Sequence, residues 1–175
     1  MTLTTILPTL RASLPDPADP SSWPAHTSVT TDDVVVAGVS MLRLAELAGT
    51  PCVHTADGAP PRHRPGGWTP HEMSVAVVMV VRVRRPRTGA VLLELDATLP
   101  PGAVLDQVRL IGRISTAPAM PAHVVQRADR TPGGPFRRLP APMPSDVRGG
   151  DVLCFPCVTA LRHRDVVEPV RTALD

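Results

Sequence analysis

Apolar residues come in short runs along this chain, cut from one another by clusters of proline and glycine. The first run, Val34 to Val39, reads as a strand. Ser40 can then cap a short helix from Met41 to Ala48 that stops at Gly49, with Met41, Leu44, Leu47 and Ala48 on the face that would meet a sheet. Thr50 to Thr55 returns as a short strand, whereas Ala56 to Pro70 is dense in proline and glycine and reads as a loop. Ser74 to Arg85 and Ala90 to Leu99, both rich in Val and Leu, predict a hairpin turned at Pro86, Arg87, Thr88 and Gly89. Further strands are predicted over Val104 to Ser115, His123 to Arg127 and Asp151 to Val158, the last entered through Gly149 and Gly150. Strands between Pro/Gly turns, with one helix near the start, predict a mainly β fold. The expected form is a small β-barrel of about six or seven strands with one short amino-terminal helix. Residues 1–27 read as a proline-rich arm and 28–175 as a single domain.

Composition narrows the chemistry. A length of 175 residues holds one core. The net charge of +2 is too small to advertise a nucleic acid or a membrane surface as partner. All 18 basic residues are arginine, so no side chain of this chain can form a Schiff base. There is no Tyr, and with two Phe and two Trp no stacking platform for bases is expected. The longest apolar run, Val75 to Val81, is far shorter than the roughly 20 residues of a membrane helix. Met1 to Leu14 lacks the features of an export signal, and the three cysteines are an odd number, so a cytoplasmic protein with free thiols is expected.

Residues 30 to 55, from Thr-Thr-Asp-Asp-Val-Val-Val through Gly49, Thr50 and Pro51, resemble the opening of the diaminopimelate and ornithine decarboxylases of the alanine-racemase fold. Val75 to Leu99, with Val-Val-Arg-Val-Arg-Arg and Leu-Glu-Leu-Asp-Ala, looks like the first hairpin of that family's carboxy-terminal β-barrel. Residues 139 to 160 are similar to its closing segment. The resemblance implies a decarboxylase-like barrel from which about 200 residues of (β/α)8 barrel are missing, with the proline-rich stretch 56–73 bridging the gap. The pyridoxal phosphate lysine has no counterpart. The family's Cys-Glu-Ser-Gly-Asp motif would place Cys, Glu and Asp where Ser115, Thr116 and Ala119 stand, and its late tyrosine would fall near Leu161. The resemblance therefore implies loss of pyridoxal phosphate chemistry, no cofactor, and a barrel edge of Val-rich strands that is a candidate homodimer surface.

Several groups could carry chemistry of their own. Glu94 and Asp96 lie two apart on a predicted strand and could act as paired carboxylates, or as ion-pair partners of Arg82 and Arg84 across the hairpin. His71 and Glu72 precede the hairpin and His123 opens a later strand, where a histidine could shuttle protons. Arg82, Arg84, Arg85 and Arg87, with Arg62 and Arg64, could hold a carboxylate or phosphate. Cys154 and Cys157 have a chelating spacing, yet no second pair exists and a strand turns them to opposite faces, so buried thiols rather than a metal site are expected. Two functions follow. One is a small-molecule site served by Glu94, Asp96, His71, Glu72 and His123 in a cofactor-independent cyclase, isomerase or lyase of specialised metabolism. The other is a catalytically silent partner of a complete decarboxylase-like subunit.

Overall fold

The computed structural model describes residues 14, 17–60, 63, 65–67, 69–87, 89–127 and 136–167. Arg62, Arg64 and the amino-terminal segment 1–13 lie outside them. Ten strands follow in order: β1 (Thr27–Val29), β2 (Val34–Val36), β3 (Val39–Ser40), β4 (Cys52–Asp57), β5 (Glu72–Arg84), β6 (Val91–Leu95), β7 (Arg109–Ile111), β8 (Ala119–Arg127), β9 (Phe136–Pro144) and β10 (Val152–Cys157). Helix α1 (Met41–Ala48) follows β3, and the four-residue α2 (His163–Val166) follows β10. The molecule is mainly β, as the spacing of its apolar runs predicts.

The principal sheet runs β7-β10-β5-β6-β8-β9, with β4 also paired to β5, and curls into a half-barrel. The 13-residue β5 is its spine. Alternation sorts the side chains of β5 by face. Ala76, Val78 and Val80 point into the curl, where they meet Leu93, Val124, Ala141, Met143, Leu153 and Phe155 in the main core. Val75 and Val77 point the other way and are buried just as completely, by Trp23, Val34, Val36, Met41 and Cys154 of a second core. The small β1-β2-β3 sheet and α1 thus cover one half of the convex face, which explains why the middle of β5 is apolar on both sides. Beyond Val80 that cover ends. A bulge at Val81 shifts the register so that Arg82 pairs with Glu94 and Val83 with Leu93, turning Arg82 and Arg84 to the outside.

Helix α1 begins where expected: the Ser40 hydroxyl accepts from the Arg43 N–H, and the chain leaves at Gly49. Its buried face is not the expected one, because Met41, Leu42, Leu44 and Ala45 meet the second core while Leu47 and Ala48 are exposed. Three expectations about strands need correction. The strand foreseen over Val34 to Val39 is broken, because Ala37 and Gly38 both take positive φ and make a two-residue turn between β2 and β3. The strand foreseen over Val104 to Ser115 is only Arg109–Ile111, preceded by a 3-10 turn at Leu105–Gln107 and ended by Gly112 at φ 83°. The third is β9, which proline disguised. Pro140, Pro142 and Pro144 are alternate residues, and their partners on β8 are His123, Pro121 and Ala119. Alternate residues aim their nitrogens at one edge, so the ladder to β8 is left to the residues between and the prolines line the free edge.

Candidate functional site

On the concave face the aliphatic lining is interrupted by one hydroxyl pair. Ser74 on β5 is fully buried, directly across from Thr55 on β4, and their hydroxyls are 2.8 Å apart. The Leu161 N–H donates to Ser74 Oγ at 2.8 Å, and Thr55 Oγ1 donates to the Leu161 carbonyl at 3.4 Å. Moving one step outward along the same face, Glu72 stands opposite Asp57, both exposed at the rim. The concave side therefore runs from a carboxylate pair at its rim, through a hydroxyl pair, to an aliphatic interior.

Of the five residues singled out from sequence, Glu72 alone has the strand parity of this face. His71 sits beside it, and its carbonyl accepts the Gly58 N–H at 2.6 Å. A Cβ on Gly58 would stand 2.9 Å from the His71 backbone oxygen as well as against its ring, so any other residue there would push the backbone apart. Glu94 lies on the convex face, 2.8 Å from Arg84 and 4.0 Å from Arg82. His123 pairs with Leu92 in parallel register, which puts it on that same convex face. Asp96 departs from the expected arginine pairing: its carboxylate accepts the Met79 N–H at 2.8 Å and pins the start of the bulge. The structure thus places Glu72 at the concave rim, His71 next to it in sequence with its ring against Gly58, and Glu94 and His123 on the opposite face. Asp57, Ser74 and Thr55 escaped sequence reasoning, because only the β4–β5 register brings them opposite one another.

A second polar centre joins the connection after β7 to the one before β10. Arg113 donates from Nε and Nη2 to the buried Asp151 carboxylate at 2.7 Å each, and from Nη1 to Asp146 at 2.9 Å. Chiefly through its bonds to Asp151, against some loss of hydration, the guanidinium is held above its ordinary pKa. Burial pushes the Asp146 carboxyl up, but the hydroxyl of Ser115 at 2.6 Å and the Arg113 charge outweigh it and hold the group below its usual range. Arg113 and Ser115 line a cleft of about 150 Å³ between the β1–β2 turn and the end of β9. With every Arg113 nitrogen committed, this is a brace between loops.

The three cysteines are free and buried. Burial raises Cys154 most, with Asp33 adding to the effect and Arg109 opposing it. Cys157 is pushed up to about 12 by burial against a hydrogen bond from the Ala76 backbone. Among the described residues no group of three or more His, Cys, Asp or Glu is arranged to hold a metal, and no helix is long and apolar enough to cross a membrane. Arg85 is spent on the Val147 carbonyl at 2.5 Å. The chain matches no family model and no curated protein.

Proposed function

We propose that this chain is a decarboxylase-like β-barrel domain working without pyridoxal phosphate in the cytoplasm, where it holds a small molecule at its concave face as a cofactor-independent cyclase, isomerase or lyase. The observation that carries this reading is the polar end of the concave face: a buried Ser74–Thr55 pair bordering the aliphatic core, and Glu72 across from Asp57 at the rim. Apolar sites with a few convergent polar groups suit reactions that need positioning and exclusion of water. Glu72 is the proton-handling residue in this reading, because Glu94 is engaged by two arginines and Asp96 by the backbone. The test is to incubate the purified chain with a metabolite extract of its host and follow substrate loss by mass spectrometry. Glu72→Gln should lower turnover about a hundredfold, the usual worth of a general acid or base. Equal loss in Glu94→Gln, or no turnover by the wild type, would overturn the assignment.

One observation favours the partner reading. Met79 and Val81 are 36% and 56% exposed on the half of the convex face that no described residue covers, a candidate surface for a second copy or a decarboxylase-like subunit. Co-purification of the chain with such a subunit, lost in Val81→Glu, would establish it.

A further inference from the structure

Ser74 and Asp151 are the two buried polar side chains among the described residues. Asp151 is accounted for by Arg113. Ser74 occupies a position where alanine or valine would pack, and a hydroxyl there is costly unless its bonds are met. They are met by a closed ring. The Leu161 N–H can only donate and the Leu161 carbonyl can only accept, so the proton order is fixed: Leu161 N–H to Ser74 Oγ, Ser74 hydroxyl to Thr55 Oγ1, Thr55 hydroxyl to Leu161 carbonyl. Each hydroxyl donates once and accepts once. Two side chains from neighbouring strands thus read both backbone groups of one residue.

The segment that supplies this residue is attached at a few points: the Val158 N–H donates to the Gly102 carbonyl at 3.1 Å, and the Leu161 side chain packs against the main core. From Val158 to Asp165 every residue but Leu161 is exposed, and α2 is closed locally by the Asp165 carboxylate accepting the Arg162 N–H. Past the ring, the strap is held by Val166, which is buried in the main core and whose carbonyl accepts from Thr98 N–H at 2.9 Å. Anchors this sparse do not make a cooperative element, and exposed segments held at few points open below the global unfolding energy.

We propose that the Ser74–Thr55 pair is a recognition site for a peptide-like amide with an aliphatic side group, and that the strap Leu161–Val167 occupies it as a displaceable plug. The inference deepens the reading of the concave face as the binding face: the ligand competes with the chain's own strap. Ser74 and Thr55 are binding residues in this account and take no part in bond making.

Hydrogen exchange on the full chain tests it, with N-acetyl-leucine N-methylamide as the probe. In the wild type, the Leu161 and Val167 amides should exchange at least about tenfold faster than those of Val80 and Asp151. Ser74→Ala should speed the strap amides about tenfold further, the value of one buried hydrogen bond, while Ser74→Thr keeps them slow. The probe at about 10 mM, a concentration suited to weak ligands, should accelerate exchange of Val167 in a saturable way and lose this effect in Ser74→Ala. Strap amides that exchange no faster than Val80 would overturn the plug, and absence of a saturable probe response would overturn the amide site. Both readouts need no substrate turnover, so an inactive protein with an opening, probe-sensitive strap refutes the catalytic reading and leaves this one standing.

Discussion

Ala37 carries a backbone strain that its side chain does nothing to justify. Its φ of 49° is a left-handed conformation that alanine adopts at a cost, and the two-residue turn it shares with Gly38 is one that glycine or asparagine fits better. Ala37→Gly should therefore raise stability by about 0.5–1 kcal/mol, read as a rise of a few degrees in thermal midpoint. Arg113 predicts the opposite. Removing it in Arg113→Met leaves the Asp151 carboxylate, whose side chain is 4% exposed, without its bidentate partner, and should cost about 3 kcal/mol in chemical denaturation. Its neighbour Asp146 makes the brace pH-dependent. Because the folded pKa of Asp146 lies below the ordinary 3.8, its contribution is complete above that value and is lost as the pH falls through the lower folded value. The stability difference between wild type and Ser115→Ala should be present at pH 6 and shrink below 3.8.

Elements were legible where the chain itself marks their ends. The β5–β6 hairpin and the span of α1 followed from Val- and Leu-rich runs on either side of a turn cluster and from the Ser40 cap, because these signals are local. β9 was not, since three prolines read as a break in one dimension and are harmless on an edge. Nor could the parallel pairing of β6 with β8 be read, because it joins residues about 30 apart through a crossover that carries no local mark. The bulge at Val81 is a related case: the Arg82–Glu94 pairing was expected, but the insertion leaves Asp96 facing a backbone amide instead of an arginine. At this exposed pair Glu94→Gln should change stability by less than about 1 kcal/mol, as measured by urea unfolding. Most of the concave site belongs to the same illegible class. Thr55, Asp57, Glu72 and Ser74 are unremarkable in sequence and acquire meaning only from the β4–β5 register.

At the scale of the whole molecule, β5 divides two cores, and the cysteines are shared between them: Cys157 in the main core, Cys52 and Cys154 in the second. All three thiols are raised by burial, so Ellman's reagent at pH 8 should find none in the folded protein and three after denaturation. A native reactive thiol would mean that one of the cores opens. An open half-barrel also has two ends, and these differ in chemistry. On the outer side of β9 the backbone at Pro140, Pro142 and Pro144 can present oxygen and never hydrogen. A strand arriving there meets a row that answers only half of its own alternating code. In the language of polymers this edge is a chain terminator: it stops the sheet from growing by the addition of further copies, much as a blocked monomer ends a filament. Addition of a further strand at β9 is thereby disfavoured, and the exposed convex surface around Met79 and Val81 is left as the face on which another molecule could lie.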